Sequence, residues 1–107
     1  MQGALLLVAL LAAQAAQLVE DDWDHLRPRI ELAPQDVSKF IERRTGCNHF
    51  GGEVGSGDPG RENQVQDMLK KLRCNELASD ERALRNAHRD KPDVLKLLDD
   101  TVDLMPW

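Results

Sequence analysis

Residues 58–74 read Asp-Pro-Gly-Arg-Glu-Asn-Gln-Val-Gln-Asp-Met-Leu-Lys-Lys-Leu-Arg-Cys. Asp58 carries the short acceptor side chain of an N-cap, and Pro59 has the fixed φ and missing N–H that suit a first helical turn. Val65, Met68, Leu69 and Leu72 then recur at i, i+3, i+4 and i+7, a single apolar stripe on an α-helix. Cys74 closes the stretch. At about 100° per residue it falls roughly opposite Val65, on the polar side of that helix. Either the helix stops near Arg73 and frees Cys74 to turn, or a bridge forms at its outer flank. Asn75 and the cap-type Ser79 favour the stop.

Upstream, Gly51 to Gly60 holds five glycines in ten residues and can only be a loop. The segment before it opens at Pro34, and Val37, Phe40 and Ile41 mark an apolar stripe at i, i+3 and i+4. Gly46 stands where a C′ glycine would end that helix, placing Cys47 just past its end. Downstream, Ser79 is read as the cap of a third helix with Asp80 and Glu81 in its first turn and Leu84, Ala87 and His88 on its inner face. Lys91-Pro92 breaks the chain and opens a fourth, with Val94, Leu95, Leu98 and Val102 as its apolar face. No stretch alternates like a strand. The expected fold is all-α, a small bundle of three to four short helices over residues 34–107.

Such a domain is marginal on burial alone, with Trp23, Phe40, Phe50 and Trp107 as its aromatic residues. Two cysteines supply a staple. In a short exported chain an even cysteine count favours a disulfide, here Cys47–Cys74. Closing that loop is worth roughly 3.5 kcal/mol in the chain-entropy model.

Export is read from the N-terminus. Ala4 to Ala13 is an uninterrupted apolar run, and Ala13-Gln14-Ala15 is a signal-peptidase site, so residues 1–15 are expected to be a signal peptide although no Lys or Arg precedes the run. The run is too short for a membrane span, which needs about 20 apolar residues. Residues 16–33, with Glu20, Asp21, Asp22 and Asp24 around Trp23 and His25 and with Pro28 within, are expected to form an irregular, solvated acidic arm. The net charge of −5 lies wholly after the apolar segment and argues against nucleic acid as a partner.

The densest polar cluster is Cys47, Asn48, His49, Phe50, Gly51, Gly52 and Glu53. It is read first as a disulfide corner, with Asn48 and His49 bonding the turn and the glycines supplying unusual φ angles. Alternatives are a zinc site from Cys47, His49, Cys74 and His88, a Cys47 nucleophile activated by His49, and a contact loop in which Asn48, His49, Phe50, Gly51, Gly52 and Glu53 meet a partner. The zinc spacing matches no standard finger, and oxidation would remove both thiolates. Gly55-Ser56-Gly57 is not a nucleophile elbow, and no Gly-Lys-Ser/Thr follows the glycines to make a P-loop. No catalytic residues and no cofactor are assigned. His88 is read as a hydrogen-bonded histidine at the core edge, and Arg82, Arg85, Arg89 and Lys91 as a solvated face.

The run from Phe40-Ile41 through Cys47-Asn48-His49-Phe50-Gly51-Gly52-Glu53, then Leu72-Arg73-Cys74, Leu77, Asp80-Glu81, Leu84-Arg85, Pro92 and Leu95, resembles an uncharacterised family of small exported proteobacterial proteins. Their motif often reads Cys-Asn-His-Trp-Gly-Gly-Glu, with Phe50 here in the Trp position. The resemblance covers roughly residues 37 to 98. It implies no activity, and its two matching cysteines agree with a bridge. In size, export and cysteine-tied helical build the chain is also similar to small periplasmic lysozyme inhibitors, whose motifs it lacks. The expected function is a non-enzymatic periplasmic or secreted helical interaction protein with an unknown protein or cell-envelope partner. The alternatives are a metal-binding protein and a small hydrolase inhibitor.

Overall fold

The computed structural model describes residues 22–106. The signal-peptide segment, the first residues of the acidic arm and Trp107 lie outside the described residues. By internal contacts the chain divides into two compact units, Met1–Leu32 and Ala33–Trp107. Every described element is helical, and one disulfide ties the second unit.

In the first unit, Asp22–Leu32 is an α-helix, α1, where an irregular arm is expected from the sequence. Pro28 sits inside it. Proline there removes one i→i−4 hydrogen bond but leaves φ helical, so the helix can be kept when its apolar residues are buried. Leu26 and Ile30, one turn apart, are buried. With Trp23 they make an i, i+3, i+7 period that the surrounding acids and Pro28 obscure. Arg27 lies over the Trp23 ring, 5.9 Å from its centroid.

The second unit holds α2 (Gln35–Gly51), α3 (Pro59–Lys71), a 3₁₀ turn (Cys74–Glu76), α4 (Leu77–Ala87) and α5 (Pro92–Asp100). α2 is the central element and packs against α3, α4 and α5. Its Val37, Phe40 and Ile41 meet a core completed by Val65, Val94, Leu97 and Leu98. Two core positions are threonines. Thr45 Oγ1 donates to the Ile41 carbonyl and Thr101 Oγ1 to the Leu97 carbonyl, so neither hydroxyl is left unsatisfied.

Gly46 does not end α2; the helix runs through Cys47 to Gly51. The glycine serves a tertiary contact instead. A Cβ at position 46 would sit 3.0 Å from Leu72 Cδ1, so the missing side chain lets α2 approach the end of α3. Leu72 is only half-buried and its methyl can swing aside. Gly46→Ala is therefore expected to change stability by less than about 1 kcal/mol, helix propensity offsetting the contact. Gly46→Ile should destabilise by about 1–3 kcal/mol. Urea unfolding of the two variants separates these outcomes.

α3 starts and stops as its sequence predicts. Asp58 Oδ1 accepts the Gly60 N–H at 3.0 Å, and Pro59 takes the first turn. After Lys71 the helix closes at Leu72, and Arg73 turns left-handed with φ 53° and ψ 49°. This reversal delivers Cys74 to Cys47, with Cα atoms 5.7 Å apart across 27 residues of sequence. A left-handed non-glycine residue costs about 1–2 kcal/mol. Arg43 on α2 supports it: Nε donates to the Leu72 carbonyl and Nη2 to the Arg73 carbonyl, the last acceptors of the helix end.

Three further expectations change. α4 begins at Leu77 rather than after Ser79, because the 3₁₀ turn that follows the bridge already brings the chain into helical geometry. Ala87 faces outward while His88 is buried. α5 turns Leu97 and Thr101 inward beside Val94 and Leu98, and Val102, past the helix end, is exposed.

Candidate functional site

The Cys47–Glu53 cluster is less a loop than the last turns of α2. Cys47 to Gly51 are helical, and Gly52 and Glu53 form the turn that follows. Each polar residue is used within the fold. Cys47 is in the disulfide. Asn48 Nδ2 donates to the carbonyls of Val102 (2.9 Å) and Leu104 (3.1 Å), pinning the chain that leaves α5. His49 Nε2 is 3.6 Å from Glu53 Oε1, and Glu53 pairs with Arg61 on α3. His49 meets the edge of the Phe50 ring with centroids 4.9 Å apart.

The glycine loop that follows is also ordered by its neighbours. Gly55 and Gly57 both have φ +86°, a conformation that L side chains rarely adopt. Gly55 and Ser56 aim their N–H groups at one carboxylate oxygen of Glu62, each at 2.6 Å. A shallow depression of about 330 Å³ lies over this loop, lined by Glu53, Val54, Ser56 and Arg61 among others.

The zinc alternative loses its two sulfur ligands, since Cys47 and Cys74 are joined and neither can be a thiolate. Among the described residues no three His, Cys, Asp or Glu side chains converge on a metal-sized space. The same bond removes Cys47 as a nucleophile. His88 lies on a different pair of elements from His49. It is 7% exposed, and its Nε2 is 2.9 Å from Asp36 Oδ2 at the start of α2. Its Nδ1 is buried without a hydrogen-bond partner among the described residues, and Nε2–H is the donor to the Asp36 carboxylate.

That hydrogen bond, with the charge interaction behind it, holds the Asp36 carboxyl below its ordinary pKa of 3.8 against the opposing effect of burial. The sign of the pH dependence follows. A depressed carboxyl contributes stability above the unfolded value near 3.8 and loses it as pH falls through the lower folded value. Asp36→Asn should therefore be less stable than wild type at pH 6, with the gap narrowing below pH ~4. Denaturant melts of both proteins at pH 6 and pH 3 read this directly.

Two adjacent arginines, unmarked by any local pattern, join the helices. Arg43 Nη1 pairs with Asp80 at 2.8 Å. Arg44 is 5% exposed; its Nη1 donates to Glu81, and its Nη2 to the Leu98 carbonyl and to Thr101 Oγ1, all at 2.8 Å. Its guanidinium lies 5.2 Å from the centroid of the Phe40 ring. Glu81 also accepts from Arg85, which pairs with Asp99 at 2.7 Å. Burial acts to lower the Arg85 pKa, but hydrogen bonds to Glu81 and Asp99 hold it above its ordinary value. Arg85 thus belongs to an inter-helix network and not to a solvated face. The available signal was spacing: Asp80 and Glu81 face the same way as Leu84 and Arg85, one turn on.

No described helix is long and apolar enough to cross a membrane. No family profile, curated protein or solved structure matches the chain.

Proposed function

We propose that this protein is an exported, non-enzymatic helical interaction module. Its contact surface is the end of the bundle where the last turns of α2, the glycine loop and the chain after α5 adjoin. One observation carries the reading: among the described residues, three of the four exposed large apolar side chains, Val54, Val102 and Met105, belong to segments bonded to those last turns. Val54 donates its N–H to the Gly51 carbonyl, and Asn48 holds the Val102 and Leu104 carbonyls. Exposed large apolar groups on segments held to one helix end are candidates for an association surface. The depression beside Val54 offers a seat for a partner's side chain. A disulfide is in keeping with an oxidising compartment, periplasmic or extracellular, as is the signal-like N-terminal run.

A photo-crosslinking amino acid placed at Val54 and at Val102 is expected to capture the same partner from a cell-envelope fraction. The same group at Gln66, on the exposed side of α3, should not. Equal capture at all three positions, or none at Val54 and Val102, would remove this surface from consideration.

A further inference from the structure

We infer that the glycine loop is a processing site. An endopeptidase that accepts a small aliphatic side chain before the cut hydrolyses the Val54–Gly55 bond, and the product is a folded two-chain protein joined by Cys47–Cys74. Water adds across the amide, its hydroxyl to the Val54 carbonyl and its hydrogen to the Gly55 nitrogen, so no other reactant is needed.

A protease grips several residues on each side of the bond in extended form, so a folded chain is cut where a segment opens locally at small cost. From Gly51 to Gly60 no residue is buried. Val54 is 53% exposed and is the one branched aliphatic side chain in that stretch. The loop is held closed by exposed polar contacts: Glu62 accepts the Gly55 and Ser56 N–H groups, and the Val54 N–H reaches the Gly51 carbonyl at 3.5 Å. Gly55 and Gly57 pass to extended backbone without steric cost. The other exposed large apolar positions open less readily. Leu32 ends α1 and is followed by Ala33-Pro34 and then α2, so extending the chain there means unwinding a helix. Asn48 holds the Val102 and Leu104 carbonyls, and Met105 precedes Pro106, whose nitrogen carries no hydrogen.

The place of the cut relative to the bridge decides its outcome. The disulfide and the chain between its cysteines form one ring across 27 residues. Opening that ring at Val54 or at the disulfide removes one constraint and leaves one covalent molecule. Opening both separates residues 1–54, which carry α2, from residues 55–107, which carry α3, α4 and α5. The two pieces are tied by Arg43 to Asp80, by Arg44 to Glu81, Leu98 and Thr101, and by the core around Val37 and Ile41. None of these ties involves the loop. The cut therefore forfeits the ring's restriction of the unfolded chain and little else. Because it also keeps Cys74 in place, cut and oxidised protein should melt at or above uncut and reduced protein.

The test is limited digestion of the oxidised full chain with pancreatic elastase, followed by mass spectrometry and gels run with and without reductant. Within residues 22–106 the first cut should fall between Val54 and Gly55. The molecule should gain the mass of one water, remain one band without reductant and become two with it. Cut, oxidised protein should keep the far-UV circular dichroism of uncut protein and melt cooperatively, at a Tm below uncut oxidised protein and no lower than uncut protein in reductant. Reductant added to the cut protein should abolish that transition or make it fall with dilution, as for two separable chains. Val54→Asp, at an exposed position, should fold as wild type and be cut at least about tenfold more slowly. No cut at Val54, an earlier cut elsewhere in those residues, loss of helical signal in cut oxidised protein, or an unchanged rate in Val54→Asp would each overturn the assignment.

Discussion

Replacing Cys47 and Cys74 together by serine is expected to lower the stability of the protein by about 3.5 kcal/mol or more and its Tm by roughly 15–25 °C. The bridge closes 27 residues of chain, and its loss returns that loop's freedom to the unfolded state. A second contribution comes from the folded side. Cys74 follows Arg73, whose left-handed backbone is supported by the Arg43 hydrogen bonds on one side and by the disulfide on the other. Without the disulfide, Arg43 alone must hold a conformation that costs about 1–2 kcal/mol. The end of α3 should then fray while α2, α4 and α5 stay paired. Thermal melts measure the first effect, and hydrogen exchange at Leu72–Asn75 against Phe40–Thr45 reads the second. Uniform loss of protection across both segments would show that the bridge stabilises the whole fold and not this corner.

The other large effect is expected at Arg44. Arg44→Ala should cost about 2–4 kcal/mol, from the cavity it leaves and the buried polar contacts it removes. The truncation leaves Thr101 Oγ1 and the Leu98 carbonyl short of a donor, opens a void beside Phe40, and leaves Glu81 with Arg85 alone. Arg44→Met should cost about half as much, because the thioether chain refills the volume along Phe40 and Glu81 keeps its second arginine. A small domain commonly has about 5–15 kcal/mol in total, so the alanine variant should sit close to its folding threshold. Equilibrium urea unfolding of the two variants checks the ordering. Equal losses would mean that the polar ties, and not the filled volume, account for the effect.

Much of the fold is legible in the residues themselves. Asp58-Pro59 caps α3, Pro92 opens α5, and the glycine-rich loop lies between α2 and α3, because capping and φ restriction act within a few residues of chain. The stop of α3 ahead of Cys74 is legible for a related reason. A cysteine on the polar side of an amphipathic helix can reach a partner in the core only if the helix ends first.

Other features depended on groups distant in sequence. Gly46 carries the local signature of a helix end, yet α2 continues through it, and its missing side chain instead leaves room for Leu72, 26 positions later. α1 carries acids and a proline, and its period is plain only once Leu26 and Ile30 are seen to be buried. Within the candidate site, Asn48 looks like a turn residue but is a clamp on the chain after α5, and Glu53 looks like a contact residue but is engaged by Arg61. Each partner lies beyond the reach of a local pattern.

The sequence by itself therefore determines an all-α chain, the positions of its loop and caps, and the pairing of its two cysteines, since these follow from backbone sterics, short-range periodicity and a cysteine count of two. Tertiary structure alone decides that α2 runs on through Gly46 to Gly51, that Arg43 and Arg44 join three helices, and that Asn48 clamps the chain after α5. Those outcomes depend on which distant groups meet in space and on which charges are satisfied when they do.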